Sequence, residues 1–171
     1  MKPVAYLLCG PSMAGKSTFA HRLSGRSGAA VSSADTINVR RGLPFGGEGL
    51  PEAAWAETLR LQLIELGEWA ALGRSAVVDD TLCYRWLRDR FRQSAAAAGM
   101  AHQLLLFAPP REELLARHDA LLVDPRRPVL SRERLLQHLV TFEWPGPDEG
   151  AVDLTDSSRQ DDWLLDQFPR G

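Results

Sequence analysis

The stretch GPSMAGKST, at positions 10–18, limits the possible folds of this chain more than any other part of the sequence. It matches the pattern G-x-x-x-x-G-K-[ST]. The apolar run PVAYLLC (3–9) before it has the length and content of a buried strand, and residues 16–23 after it have helical character. A strand, a glycine-rich turn and a helix in this order are the context in which the pattern indicates a phosphate-binding loop. The alternative is a glycine-rich turn that matches the pattern by chance.

The residue types of this loop suit the binding of a phosphate. Glycines at 10 and 15 let the backbone wrap closely around an anion, so that successive N–H groups and a helix N-terminus point at phosphate oxygens. A lysine at 16 reaches the β- and γ-phosphates, and the hydroxyl of the next serine ligates Mg²⁺. We therefore expect a nucleoside triphosphate with Mg²⁺, held by Gly10, Ser12, Ala14, Gly15, Lys16, Ser17 and Thr18.

Short apolar runs alternate with helical patterns along the rest of the chain. Leucines and an alanine recur at helical spacing after Pro51 and predict one buried helix face, formed by Leu59, Leu63, Leu66 and Ala70. Further strands are predicted at 29–31, 75–80, 102–108 and, weakly, 150–154, and further helices at 84–98, 111–122, 131–142 and about 163–168. The alternation predicts an α/β fold, a parallel sheet with helices on both faces, in a single domain over residues 1–171.

Composition excludes several classes of protein. Hydrophobic residues make up 44% of the chain and charged residues 25%, which is typical of an ordinary globular protein and not of a disordered one. The formal net charge of -2 gives no global reason for tight binding to DNA or to a membrane surface. The longest apolar run is far shorter than the roughly 20 residues that span a bilayer. Two distant cysteines, Cys9 and Cys83, favour a reducing, cytoplasmic location.

Two neighbouring carboxylates end the strand predicted at 75–80. Because side chains alternate across a strand, Asp79 and Asp80 point in different directions and cannot have the same role. One of them faces the phosphate-binding loop, since ligands of parallel sheets bind at the carboxyl ends of the strands. We assign Asp79 with Ser17 to the Mg²⁺ site, and Asp80 with Thr81 to the substrate, while the residue that faces the loop stays open. The alternative is that both carboxylates cap a turn.

A third carboxylate, Asp35, follows the strand at 29–31 in the stretch SSADTINVRRG. In a doubly wound sheet it lies at the same edge as Gly15 and Lys16, where it could accept a proton from a substrate hydroxyl. The same residues are also typical of turns and helix N-caps, and spacing alone does not separate a catalytic base from a turn residue. The residues 40–51 that follow are rich in glycine and proline and predict a long loop, which in a compact domain is usually functional or mobile.

Three arginines form one stripe of the helix predicted at 84–98, at positions 85, 88 and 92. With Trp86 and Phe91 they could form a nucleic-acid surface. The simpler interpretation, which we favour, is a solvated face partly balanced by Asp89.

Four features in this order resemble the small P-loop kinases of the AAA_33 and zeta-toxin-like group, which includes polynucleotide 5′-kinases, chloramphenicol phosphotransferase and seryl-tRNA kinases. They are GPSMAGKST, the aspartate of SSAD, the D-T of DDT, and an arginine-bearing lid region followed by FEWP (142–145). The resemblance covers nearly the whole chain. It implies a three-layer P-loop kinase fold with five parallel strands in the order 2-3-1-4-5, a small lid at about 117–132, and transfer of the γ-phosphate of ATP to a hydroxyl.

The resemblance also implies roles for individual residues. Asp35 corresponds to the catalytic base and Asp80 to the carboxylate on the acceptor side. Arg117, together with Arg126 or Arg127, corresponds to the lid arginines that clamp the nucleotide and the developing charge. Polynucleotide 5′-kinases have an arginine close after the base, whereas here Arg40 and Arg41 come later.

The sequence therefore predicts an ATP-dependent phosphotransferase whose acceptor is a small molecule or a nucleic-acid 5′-hydroxyl, with a protein as a third alternative. The near-neutral charge favours a small molecule, because polynucleotide binding usually requires a basic stripe. Arg40 and Arg41 are further candidates for contact with the acceptor. The alternative function is a nucleotide-dependent switch that regulates a partner without phosphorylating it.

Overall fold

The computed structural model of the protein describes residues 2–124 and 128–169. The strands are β1 Val4–Cys9, β2 Ala30–Ser33, β3 Ala76–Asp79, β4 Ala101–Leu106 and β5 Val152–Asp153. The helices are α1 Lys16–Ser27, α2 Ala34–Arg40, α3 Glu52–Ala71, α4 Arg85–Ala97, α5 Arg111–Val123, α6 Arg132–Thr141 and α7 Ser157–Gln167. Single 3₁₀ turns lie at Phe45–Gly47 and Pro147–Glu149.

The five strands form one parallel sheet in the order β2-β3-β1-β4-β5, which confirms the predicted order 2-3-1-4-5. Ser33 of β2 and Leu8 of β1 both pair with Asp79 of β3, so these three strands end at nearly the same level. Their carboxyl ends, with the segments that follow them, therefore meet at one edge of the sheet. This register brings the phosphate-binding loop to the same edge as the two carboxylate segments.

Both faces of the sheet are covered, as the apolar strands predicted. Along β1, Tyr6 and Leu8 face a core that includes residues of α1, α5, α6 and α7, while Leu7 and Cys9 face a second core that includes residues of α3 and α4. The period of two in strand side chains thus divides a single apolar run between two cores. The predicted α3 face is confirmed, since Leu66 is fully buried in the second core and Leu59, Leu63 and Ala70 pack against it.

The stretch after β2 is a helix and not an isolated turn. Ser33 caps α2, because its hydroxyl accepts a hydrogen bond from the backbone N–H of Thr36 at 3.4 Å. The cap chemistry expected in SSAD is therefore present, with Ser33 as the cap and Asp35 in the first turn of the helix, where a negative charge is favourable. The loop that follows contains the 3₁₀ turn at Phe45–Gly47.

The arginine stripe of α4 is only partly the predicted solvated face: Arg85 is exposed and Asp89 pairs with it as expected, whereas Arg88 is buried. The Arg88 side chain is only 1% exposed and forms a bidentate ion pair with Glu149, with both N–O distances at 2.7 Å. Arg88 Nη1 also donates to the carbonyl oxygens of Leu82 and Glu143. Burial of this arginine is possible because its charge is paired and its N–H groups are satisfied.

Within the two described ranges, no helix has the length and apolar content needed to cross a membrane. Both cysteines are unpaired thiols. Cys9 is buried, and its burial raises the pKa of the thiol to about 12, so it stays neutral and serves as a core residue. The cytoplasmic location that the cysteine count favours stays a prediction.

Candidate active site

A large cleft of about 2010 Å³ opens at the carboxyl edge of the sheet. One half of it, here called the α2–α3 half, is lined by residues of α2, the loop 42–50, α3 and the segment between β3 and α4. The other half, here called the α5–α7 half, is lined by residues of α1, α5 and the segment between β5 and α7. The phosphate-binding loop is part of the lining, and α6 contributes Arg134 and His138.

The phosphate-binding loop needs glycine at two positions for different reasons. A Cβ atom at Gly10 would lie 2.3 Å from the carbonyl oxygen of Phe107, so no side chain fits between β1 and β4 there. Gly15 has a φ of 91° at the N-terminus of α1, a conformation that other residues rarely adopt. The Gly10 N–H also donates to the carbonyl oxygen of Thr81 at 3.0 Å, which ties the loop to the segment after β3.

Lys16 is 7% exposed, and its Nζ donates to the carbonyl oxygen of Pro11 at 2.8 Å. Burial lowers the pKa of this ammonium, while the negative charges of Asp79 and Asp80 oppose the shift. The lysine is thus held inside the curl of its own loop, close to both carboxylates. Ser12 and Ala14 line the cleft beside it, and the exposed Ser17 and Thr18 follow in the first turn of α1.

Both carboxylates at the end of β3 line the cleft. Asp80 Oδ1 accepts a hydrogen bond from the Thr81 backbone N–H at 2.5 Å and another from the Thr81 hydroxyl at 3.3 Å. Desolvation at the floor of the cleft raises the pKa of Asp80 to about 6, although the Thr81 N–H and the Lys16 charge favour its ionised form. An aspartate with a pKa near neutrality is a common feature of functional sites, because it can exchange protons at physiological pH.

The shifted pKa of Asp80 makes a testable prediction about stability. The folded protein favours the protonated form of this carboxyl, because its pKa is about 6 when folded and about 4 when unfolded. The resulting stabilisation is present below about pH 4 and is lost as the pH rises to about 6 and above. Asp80→Asn is expected to raise the free energy of unfolding at pH 8 by about 1–3 kcal/mol and to leave it unchanged near pH 3. Urea unfolding at both pH values measures the difference, and lower stability of the variant at pH 8 would contradict the assignment.

Asp35 lies at the same edge of the sheet and lines the cleft. Its Oδ1 accepts a hydrogen bond from the Gly46 backbone N–H at 2.9 Å, which anchors the 3₁₀ turn of the loop 42–50. The charge of Asp35 also acts on the pKa values of Lys16 and Asp80. Asp35 is therefore close to the phosphate-binding loop, as a base would be. It also holds the loop 42–50 in place.

The two arginines after Asp35 do not line the cleft. Arg40 forms an ion pair with Glu65 of α3 at 2.6 Å. Arg41 Nη1 donates to the carbonyl oxygen of Ala54 and to the hydroxyl of Thr58, at 2.8 and 2.6 Å. Both side chains fasten α2 to α3, and the structure does not bring them to the proposed substrate.

Arg117 of α5 reaches across the phosphate-binding loop. Its Nη1 donates to the carbonyl oxygen of Met13 at 2.8 Å, and its Nη2 pairs with Glu113 one turn earlier. The same Nη1 would lie 3.8 Å from a Cβ atom at Gly15. Arg117 thus stands over the loop as the resemblance implied, whereas Arg126 and Arg127 lie outside the described residues.

Two cleft residues of α6 were missed from the sequence. Arg134 and His138 are one helical turn apart, and both line the cleft. Burial, together with the positive charges of Lys16 and Arg134, lowers the pKa of His138 to about 4, so the imidazole is neutral at physiological pH. Their i, i+4 spacing was the available signal, but the same spacing also occurs on ordinary exposed helix faces.

Several features of the phosphate-binding loop suit a nucleotide with Mg²⁺. A polyphosphate chain fits the backbone curve at Gly10, where no side chain has room. Lys16 is buried beside this curve, and Ser17 is exposed next to it. Among residues 2–124 and 128–169, no group of three or more His, Cys, Asp or Glu side chains could hold a metal by itself. Mg²⁺ usually takes one or two protein ligands and completes its shell with phosphates and water, so Ser17 and Asp79 would be enough to hold it.

A phosphate-binding loop after the first strand of a parallel sheet in the order 2-3-1-4-5 defines the P-loop kinase fold. The chain belongs to the AAA_33 family, whose family model, described as an AAA domain, matches residues 6–139. A search of curated proteins found no match.

Three solved structures share this fold over nearly their whole length. An unliganded sugar kinase from Janibacter sp. HTCC2649 has 20% identity and a TM-score of 0.71, with 99% of this chain and 96% of that chain covered. The APS kinase of Mycobacterium tuberculosis, in complex with AMPPNP and APS, has 19% identity and a TM-score of 0.68, with 96% and 98% covered. A gluconokinase from Sinorhizobium meliloti 1021 has 20% identity and a TM-score of 0.64, with 96% and 93% covered.

Proposed function

We propose that the protein is an ATP-dependent kinase that transfers the γ-phosphate to a hydroxyl group of an acceptor. The observation that carries the proposal is the convergence of Lys16, Asp35 and Asp80 at one edge of the sheet, where each carboxylate charge acts on the lysine. Catalysis of phosphate transfer consists mainly of positioning and charge stabilisation, so these groups need to share one cleft. The fold that this chain shares with a sugar kinase, an APS kinase and a gluconokinase supports the proposal.

The α5–α7 half of the cleft is the proposed nucleotide site. The phosphate-binding loop holds the phosphates, with Lys16 leaving the Pro11 carbonyl to contact the β- and γ-phosphates. Arg117 stands beside the loop, where its guanidinium stabilises negative charge on the transferring group. Ser17 and Asp79 would hold Mg²⁺, directly or through water, and the ion would neutralise charge on the phosphate oxygens.

The α2–α3 half is the proposed acceptor site, with Asp35 as the base. As the acceptor oxygen bonds to the γ-phosphorus, the bond from that phosphorus to the oxygen of the leaving ADP breaks, and the acceptor proton passes to the Asp35 carboxylate. Asp80 also lines the cleft and acts on the charge of Lys16, and its role in the proposal is to orient the acceptor hydroxyl through a hydrogen bond. Arg134 of α6 lines the cleft and adds a positive charge to it.

A second candidate function is a nucleotide-dependent switch, and one set of contacts favours it. The loop 42–50 joins the site to the start of α6, because Ser131 donates from its backbone N–H and from its hydroxyl to Glu48. A Cβ atom at Gly46 would lie only 2.8 Å from Leu130, so the turn that Asp35 anchors packs closely against the segment before α6. A change at the phosphates could therefore reach the surface through this loop.

Transfer of labelled γ-phosphate from ATP tests the kinase proposal. The purified protein is incubated with labelled ATP, Mg²⁺ and pools of alcohols, nucleosides, sugars and oligonucleotides, or with a small-molecule extract. We expect a labelled product that Lys16→Ala does not form, because this variant lacks the phosphate-binding charge. ATP binding without any labelled acceptor, in all pools and in the extract, would overturn the kinase proposal in favour of the switch.

A further inference from the structure

We infer that the acceptor is an uncharged, ring-bearing alcohol with an adjacent hydrogen-bond donor and acceptor, and that Gln62 recognises this pair. The inference rests on the proposed function for the location of the acceptor, and it adds the chemical class of the acceptor and a specificity-determining residue. Three independent observations in the α2–α3 half of the cleft support it: an unsatisfied amide, an aromatic lining and the sign of the charges.

The first observation is the side-chain amide of Gln62 in the middle of α3. The residue is 1% exposed and lines the cleft, yet neither Nε2 nor Oε1 has a hydrogen-bond partner among the described residues. A buried polar group without a partner destabilises the protein, and native structures contain few of them. Leucine would fill this position on a buried helix face without that cost. The retained amide therefore points to a bound partner that is present during function.

The chemistry of the amide defines that partner. A carboxamide presents one acceptor oxygen and a donor NH₂ side by side, so its best complement is another donor and acceptor side by side, as in an amide, a lactam or the edge of a nucleobase. Leu59 and Trp55 lie one and two turns before Gln62 on the same side of α3, and both are partly exposed in the cleft. The amide nitrogen and oxygen of Gln62 are themselves buried, so a ring contacts them once the side chains of Trp55 and Leu59 shift apart.

The second observation is the aromatic lining of this half of the cleft, which is formed by Phe45, Trp55, Tyr84 and Trp86. Tyr84 and Trp86 stack with their ring centroids 6.3 Å apart and an interplanar angle of 13°. The Trp86 side chain is 59% exposed, although an indole of this size is normally buried. Flat aromatic surfaces around a polar anchor favour a flat ring as the ligand.

The third observation is the charge of the lining. The ionisable groups that α2, α3 and the end of β3 contribute to the cleft are carboxylates: Asp35, Glu52, Asp79 and Asp80. Among the described lining residues of these elements there is no lysine or arginine, and Arg40 and Arg41 are bonded elsewhere. The cations of the cleft come from the phosphate-binding loop, α1, α5 and α6. Hydrogen bonds from Ser131, together with the charge of Arg134 of α6, lower the pKa of Glu48 in the loop 42–50. An anionic group of the acceptor placed beside the four carboxylates would meet like charges, so a sugar acid, a phosphate ester or a polynucleotide is disfavoured.

Isothermal titration of the protein saturated with AMPPNP and Mg²⁺ tests this inference, because the analogue fills the nucleotide site and blocks transfer. The probes are uridine and thymidine, a neutral N-acetylated aromatic amino alcohol, gluconate, and a short oligonucleotide with a 5′-hydroxyl. We expect at least one neutral ring-bearing probe to bind more than tenfold tighter than gluconate and the oligonucleotide. Its affinity is expected to fall about tenfold to a hundredfold in Gln62→Leu, through loss of the paired hydrogen bonds.

Thermal unfolding of the same variants separates recognition from a structural role. Gln62→Leu removes two unsatisfied polar atoms, so its melting temperature should equal or exceed that of the wild type while its affinity falls. Gln167→Leu, which makes the same change on the exposed surface of α7, should alter neither quantity. A lower melting temperature with unchanged affinity would show instead that Gln62 holds a buried water and is part of the fold.

The outcomes also separate this inference from the proposed function. Phosphate transfer to gluconate or to the oligonucleotide would keep the kinase and overturn the acceptor class. Binding of a neutral ring-bearing probe that depends on Gln62, without phosphate transfer from ATP, would keep the site and overturn the kinase. Failure of all three neutral probes to bind at millimolar concentration would overturn the inference.

Discussion

Asp35→Asn is expected to lower kcat for phosphate transfer by about 10²–10⁴-fold, the usual contribution of a general base. The amide has the same shape as the carboxylate, and its oxygen can still accept the hydrogen bond from the Gly46 N–H at 2.9 Å. The loop 42–50 therefore keeps its anchor, while the group that takes the acceptor proton is lost. The KM for ATP should stay within a few-fold, because the phosphate-binding loop is unchanged. Steady-state kinetics over a range of ATP and acceptor concentrations provides both constants.

Two further variants separate the base from the anchor. Asp35→Ala removes the Gly46 contact as well as the charge, so it is expected to raise the KM for the acceptor in addition to lowering kcat. Asp162→Asn makes the same isosteric loss of charge on the exposed surface of α7 and should leave both constants unchanged. If Asp35→Asn retained more than a tenth of the wild-type kcat while Asp35→Ala did not, Asp35 would be a structural anchor and the base would be another group.

Arg88→Met is expected to lower the free energy of unfolding by about 3–5 kcal/mol, the cost of leaving one partner of a buried ion pair uncompensated. The side chains of Arg88 and Glu149 are each 1% exposed, and the arginine donates to Glu149 through two nitrogens. Its other bonds, to the carbonyl oxygens of Leu82 and Glu143, would also be lost. Arg92 would still pair with Glu149 at 2.9 Å, so we expect a loss of stability toward the lower end of this range. Urea unfolding monitored by tryptophan fluorescence measures the change.

Arg85→Met, on the same helix, is the matched control. Arg85 pairs with Asp148, but their side chains are 53% and 58% exposed, so the loss is expected to stay below about 1 kcal/mol. The pH dependence offers an independent check. Hydrogen bonds from Arg88 and Arg92 lower the pKa of Glu149 to about 2, so its contribution is present above pH 4.5 and is lost as the pH falls toward 2. That acid-dependent loss should shrink in Arg88→Met. Equal effects of the two substitutions would contradict a buried pair.

The buried ion pair of Arg88 and Glu149 is also connected to the proposed active site. Leu82, whose carbonyl oxygen Arg88 binds, is fully buried and has a φ of 45°, an unusual conformation for a residue other than glycine. It directly follows Thr81, which accepts the hydrogen bond from the Gly10 N–H of the phosphate-binding loop. The buried ion pair therefore holds a strained segment that connects the Asp80 region with the phosphate-binding loop. Such strain persists only where the surrounding structure stabilises it.

Much of the fold could be predicted because its signals are local. The phosphate-binding loop, its strand and its helix are contiguous in residues 4–27, and the pattern specifies backbone geometry through glycines that no other residue replaces. The alternation of apolar runs with helical patterns predicted a parallel sheet covered on both faces. The strand order required the resemblance to a family, because pairing between distant strands leaves no trace in local periodicity.

The roles of the arginines could not be predicted, since an arginine stripe has the same pattern whether it faces solvent or buried carboxylates. Glu149 lies 61 residues after Arg88, and only the packing of the 3₁₀ turn at Pro147–Glu149 against α4 brings the two together. Arg40 and Arg41 were candidate substrate contacts, but α2 is a helix whose arginines meet α3. Arg134 and His138 were missed because α6 returns to the cleft only in the folded chain.

Local sequence is enough to predict the phosphate-binding loop, the class of fold and the carboxylates after β2 and β3, because each depends on neighbouring residues. Contacts between distant segments set which side chains surround that loop. They bring Asp35 and Asp80 close enough to act on Lys16, hold Arg117 over the loop, turn Arg40 and Arg41 away, and leave the amide of Gln62 unsatisfied beside the cleft. The reason is physical: pairing and desolvation of a side chain depend on contacts between distant parts of the chain, which local spacing does not encode.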